Sequence, residues 1–159
     1  MGKYGDVALR ATRMLGAGEA RLPLESWSVA AREAFPGKLP AQRKGCPRSA
    51  FLGLCEEGLV AGVPRGEFGA GKANKSYAIE AARLLASGEA RPEDGPAALW
   101  RQVMNGRQKR ANSQMDVVLT LWTNRLIARR TRELARTGSV AQARRQPSLF
   151  RRPAAPDCA

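Results

Sequence analysis

An all-α fold is what the sequence predicts, and three observations predict it. The 159 residues are 43% hydrophobic but only 6% aromatic, so the core must be made mostly of Ala, Leu and Val, which suits small, closely packed helices. Apolar residues recur at helical spacing in two separate segments. The chain also aligns with itself: "RATRMLGAGEAR" at 10–21 matches "EAARLLASGEAR" at 80–91 without a gap, ending in a shared Gly-Glu-Ala-Arg.

The match continues downstream. Trp27 in "LESWSVAAREAF" corresponds to Trp100 in "AALWRQVMNGRQ", and "AFLGLCEEGLVA" at 50–61 corresponds to "VVLTLWTNRLIA" at 117–128 through Leu52/Leu119, Leu54/Leu121, Leu59/Leu126 and Ala61/Ala128. The offset drifts from 70 to 73 to 67, as loops of unequal length would produce. Each copy therefore reads as three helices. The expected body is two tandem three-helix units packed together, covering about residues 4–61 and 74–128.

In the first helix, Val7, Ala8, Ala11, Met14 and Leu15 share a face, and Gly18 is the expected stop. The second carries Trp27 as a core anchor. The third shows Phe51, Leu54, Cys55 and Leu59 on one face, with Pro47 in its first turn. The segment "GVPRGEFGAGKANKS" then reads as a Gly-rich, charged linker. In the second copy, Tyr77, Ala78, Ala81, Leu84 and Leu85 repeat the first face and Gly88 the stop. Trp100 repeats the anchor. Met115, Val118, Leu119, Trp122 and Leu126 form the last face, capped by Asn112 or Ser113. These boundaries divide the chain into 1–73, 74–128 and a tail at 129–159. The stretch "ARRTRELARTGSVAQARR" extends or adds a helix as far as Gly138, and "QPSLFRRPAAPDCA", with three prolines, is expected to be disordered.

Charge is the strongest bulk signal. The chain carries 27 Lys and Arg against 14 Asp and Glu, net +13, and nearly half of that excess lies in residues 129–159, with eight arginines against two acids. Such a tail is attracted to nucleic acid or to a partner surrounded by it. There is no histidine, and Cys46, Cys55 and Cys158 are odd in number and not spaced as metal ligands. A Cys/His zinc site, a His-based catalytic dyad and a disulfide framework are poorly supported, which points to a reducing, cytoplasmic setting. "MGKYGDVALR" lacks the apolar run of a signal peptide, and no stretch is apolar enough to span a membrane, so a soluble protein is expected.

Several motifs read as structural. Gly66, Gly71 and Lys72 stand at P-loop spacing, but Ala73 occupies the position of the magnesium-binding hydroxyl and no buried strand precedes them. No cofactor or metal is expected. Cys55 falls on an apolar face without a base to activate it. Glu56 and Glu57 are adjacent and expected to point apart, which does not make an acid/base pair, so the chain is not expected to be an enzyme. Lys44, Arg48 and Ser49 stand where the second helix of a helix-turn-helix would begin, and Arg107, Lys109 and Arg110 stand at the analogous place in the second copy. Two basic helix starts would suit phosphate contacts. A small basic DNA-binding protein is therefore the alternative reading, with the bland one being solvated helix entries.

The tail carries the most distinctive motif. Gln146-Pro147-Ser148-Leu149-Phe150 resembles the Q-x-x-L-F peptide by which bacterial polymerases and repair factors dock on the DNA polymerase sliding clamp. The resemblance covers five residues. It implies that Gln146 hydrogen-bonds in a small polar subsite while Leu149 and Phe150 fill an apolar pocket, with Ser148 the usual small residue between. Pro147 departs from the more usual leucine. Burying Leu149 and Phe150 is worth roughly 1.5–3 kcal/mol each and a hydrogen-bonded Gln about 1 kcal/mol. A micromolar contact, about 8 kcal/mol at the strong end, is the expected result. Flanking Arg144, Arg145, Arg151 and Arg152 would help where the clamp encircles DNA.

A small basic chain with such a peptide is similar to the SocB-like bacterial toxins. That resemblance implies a block of replication elongation by occupation of the clamp, held in check by a SocA-like antitoxin acting as adaptor to the ClpXP protease. Separately, the helical body, and "CPRSAFLGLCEEGLV" above all, resembles a group of small uncharacterised bacterial proteins over most of residues 4–128, which implies no activity.

Overall fold

The computed structural model describes residues 2–127, and every regular element among them is helical. In order these are α1 (Lys3–Ala17), α2 (Pro23–Ala34), the single turn α3 (Leu39–Gln42), α4 (Gly45–Glu56), α5 (Lys72–Ser87), a 3-10 turn at Pro92–Asp94, α6 (Gly95–Met104) and α7 (Gln114–Thr123). The all-α expectation holds. α3 and the 3-10 turn are additions that periodicity does not register, since one turn is too short to carry a repeating apolar face.

The expected stops are in place. Gly18 and Gly88 end α1 and α5 in the left-handed region, at φ 74° and 77°, where a Cβ would be strained. The start of α7 differs from expectation. Ser113 makes no side-chain cap; instead the side chain of buried Gln114 turns back, and its Oε1 accepts the Asn112 N–H at 2.6 Å while its Nε2 donates to Asn74 Oδ1 at 3.0 Å. A residue inside the helix thus organises its own entry and ties it to α5.

α4 and α7 are buried around most of their circumference. Eight of twelve residues in α4 and seven of ten in α7 are buried, so the single apolar face read from each sequence is only part of what they conceal. Val117 and Leu121, for example, are as deeply buried as Val118. These two helices pack on each other at the centre, α1 lies along α2 and α7, and α5 lies along α4. The halves therefore interlock: the first helix of each half leans on the last helix of the other. One contiguous apolar cluster runs from Val7 to Leu121. Trp27, 1% exposed, packs on Phe51 with ring centroids 5.3 Å apart, and Trp100 meets Tyr77 edge-on at 5.3 Å.

Close approach is provided by glycine. A Cβ on Gly5 would stand 2.9 Å from the Asp116 carbonyl oxygen, and one on Gly53 would stand 2.7 Å from the Lys75 side chain. After α4 the chain turns at Gly58 (φ 66°), and after α7 at Arg125 (φ 58°). Leu59 N–H then donates to Leu54 O, and Leu126 N–H to Leu121 O, both at 2.9 Å. The two exits meet in an isolated antiparallel bridge between Val60 and Ile127, with Ala61 N–H donating to Leu126 O at 2.7 Å.

Candidate functional site

Of the residues that sequence reasoning singles out, Arg144, Arg145, Gln146, Pro147, Ser148, Leu149, Phe150, Arg151 and Arg152 lie outside the described residues. Lys44 and Arg48 are placed at the start of α4, where both are half-buried. Lys44 Nζ lies 5.0 Å above the Tyr4 ring. Tyr4 packs on Phe35 at 4.8 Å and donates its hydroxyl to Ala41 O at 2.9 Å, and burial raises its pKa. Lys3 Nζ stands 5.7 Å from the Phe35 ring centre. Two ammonium groups are thus held over a pair of aromatic rings, an attraction that positions the charge without neutralising it.

The second half carries a comparable arrangement. Lys109 Nζ and the Arg107 guanidinium lie 5.4 and 5.7 Å from the Tyr77 ring centre. Trp100 Nε1 donates to Lys109 O at 2.9 Å, and Arg107 Nε and Nη2 donate to Met104 O and Val103 O at 3.0 Å, closing the end of α6. Sequence reasoning misses Tyr4 and Tyr77 as members of these clusters. Tyr77 reads in sequence as an apolar face position, and nothing local links Tyr4 to a lysine forty residues away. Beyond its first turn α4 is enclosed by the core, so what it can offer a partner is Lys44 and Arg48 rather than a helix face that reads bases.

The Gly-rich linker is held by the protein's own carboxylates. Glu56 Oε1 accepts from Phe68 N–H at 2.9 Å and Ala70 N–H at 3.0 Å, the kind of backbone cradle in which a P-loop would hold phosphate. Lys75 Nζ lies 2.8 Å from Glu56 Oε2 and 2.8 Å from Glu57 Oε1. The expectation that the two glutamates point apart is corrected here: Glu57 has already left the helix as its C-cap, and both side chains reach one ammonium. Burial opposes ionisation of Glu56, but hydrogen bonds from Lys75, Ala70 and Phe68 outweigh it and lower its pKa to about 2. Lys75 hydrogen bonding likewise lowers Glu57. An ion pair so satisfied is a structural clasp between α4, the linker and α5.

Elsewhere the chemistry is sparse. Cys55 is a free, fully buried thiol whose pKa burial raises further. A cavity of about 270 Å³ opens between the α1–α2 connection and the linker, lined by Leu15, Leu22, Val63, Pro64 and Phe68 together with Arg21 and Arg65. No acid or nucleophile converges on it. Among the described residues no group of three His, Cys, Asp or Glu side chains gathers as a metal site, and no helix is long and apolar enough to cross a membrane.

No curated protein and no solved structure matches the chain. Residues 1–128, which take in the whole described helical body, match a family of unknown function, DUF6979. By that match the chain belongs to the DUF6979 family.

Proposed function

We propose that this chain is a non-enzymatic inhibitor of DNA replication. It acts by occupying the peptide-binding pocket of the bacterial sliding clamp through Gln146, Leu149 and Phe150. The observation that carries this reading is the five-residue segment Gln146-Pro147-Ser148-Leu149-Phe150, set among arginines and C-terminal to the described helical body, whose buried apolar cluster runs from Val7 to Leu121. The mechanism is competition: the same pocket is needed by polymerase and repair factors, and a micromolar ligand displaces them when its concentration approaches its dissociation constant. Abundance then sets toxicity, so control by proteolysis, with a SocB-like toxin delivered to ClpXP by a SocA-like antitoxin, fits the affinity class.

The test is binding of the full chain to purified clamp. Changing Gln146, Leu149 and Phe150 together to alanine is expected to abolish binding while circular dichroism and the melting temperature stay unchanged. Equal binding by the triple variant and the parent would sink the proposal.

A further inference from the structure

The cations of the helical body are segregated in a way that its overall charge does not reveal. Residues 34–55 contain no Asp or Glu and carry Lys38, Arg43, Lys44 and Arg48. Residues 95–115 again contain none, and carry Arg101, Arg107, Lys109 and Arg110. Both stretches run from the second helix of their half into the last. The ion pairs seen among the described residues use Arg10, Arg65, Lys75 and Arg83, none of which belongs to either stretch. Among the described residues, no ion pair therefore neutralises a cation of either stretch.

Each loop is also fixed in place. Lys44 is seated on Tyr4, and Lys109 and Arg107 on Tyr77, and both tyrosines sit on helices of the shared core. Concentrating like charge on a rigid surface opposes compactness, and a polyanion bound across it relieves that repulsion. Two such clusters on one body favour a ligand whose charge repeats regularly along its length. A nucleic-acid backbone does this, with one negative charge about every 1.7 Å of duplex. A membrane surface fits less well: of the exposed large apolar side chains among the described residues, Leu22 and Leu24 lie outside the two segments and only Leu39 lies within one.

We propose that the segments 34–48 and 101–110, each joining the second helix of its half to the last, form a sequence-independent interface for the phosphate backbone of nucleic acid, separate from the tail motif. The contacts come from Lys44 and Arg43 in one loop and Lys109 and Arg110 in the other. Base reading is not part of it, because α4 and α7 are enclosed beyond their first turns.

The experiment is fluorescence anisotropy of a labelled mixed-sequence DNA duplex with the full chain, over a series of salt concentrations and without any clamp. Lys44→Glu with Lys109→Glu is expected to weaken binding about tenfold or more and to flatten the plot of log K against log salt by about two, one for each phosphate that is no longer neutralised. Lys44→Arg with Lys109→Arg should retain both affinity and slope. Since both lysines stack on tyrosines, Arg43→Gln with Arg110→Gln, two exposed positions, repeats the test without disturbing packed side chains and should shift binding the same way. Replacing Arg144, Arg145, Arg151 and Arg152 with glutamine should leave the effect of the body substitutions in place. The proposal is overturned if both body variants that remove charge bind like the parent. It is equally overturned if poly-glutamate of matched charge displaces the duplex as well as unlabelled DNA does, which would make the loops a site for acidic protein.

Discussion

Lys75 Nζ on α5 bridges to Glu56 Oε2 at the end of α4 at 2.8 Å, while the other oxygen of the same carboxylate holds the Phe68 and Ala70 N–H groups of the linker. One side chain thus joins two helices and the loop between them. Glu56→Ala strands two backbone donors and leaves Lys75 with Glu57 alone, and is expected to cost about 1–3 kcal/mol. Glu57→Ala removes more exposed ion pairs, to Lys75 and Arg65, and should cost less than about 1 kcal/mol. Urea unfolding of the two variants beside the parent measures the difference; equal losses would refute the role assigned to Glu56.

The same clasp predicts acid sensitivity. The Glu56 pKa in the folded chain, about 2, lies below its ordinary value of 4.5, so the unfolded state binds the proton more readily. Its stabilising contribution is then complete above pH 4.5 and is lost as pH falls from there towards about 2. Glu57 and Glu89 are lowered too and add with the same sign. Melting temperature measured down this range should fall more gently for Glu56→Gln than for the parent. Parallel curves would show that the clasp does not set the acid limb.

Two glycines of α1 should respond to alanine in opposite directions. At Gly5 a Cβ meets the Asp116 carbonyl oxygen and Thr120 Cβ, each at 2.9 Å, so Gly5→Ala pushes α1 off α7 at an expected cost of about 1–3 kcal/mol. Combining it with Thr120→Ala should recover only part of the loss, because the Asp116 oxygen belongs to the backbone. Gly16 has open space around it, and Gly16→Ala should stabilise the helix by about 0.5–1 kcal/mol. Thermal melts of the three variants check the signs.

Much of the body is legible in the chain itself. The faces of α1 and α5, the stops at Gly18 and Gly88 and the burial of Trp27 and Trp100 follow from spacing and residue type, because a helix repeats every 3.6 residues and a left-handed stop favours glycine. The exit turns show where such reading weakens. Gly58 announces its positive φ, whereas Arg125 adopts a similar one at 58° with no sign in its identity, held by the Leu126 to Leu121 hydrogen bond. The polar entry to α7 reads in sequence as Asn112 or Ser113, yet Gln114 performs it, since what lets a glutamine fold back is Asn74, forty residues away.

The sequence by itself determined the helical class, the order of the six longer helices, the apolar faces of α1 and α5, and the excess of positive charge, but it carried the faces of α4 and α7 on to Leu59 and Leu126, past the ends of those helices at Glu56 and Thr123. Only the tertiary structure decided that α1 lies on α7 and α5 on α4, that Glu56 and Glu57 converge on Lys75, and that Lys44 and Lys109 are seated on Tyr4 and Tyr77. The reason is physical. Periodicity states that a face must be covered, because exposing it to water is costly, but the hydrophobic effect is non-directional and does not name the covering partner. That choice falls to shape and to single polar contacts, such as the space left by Gly5 beneath Thr120 and the reach of one lysine, which exist only once the helices have met.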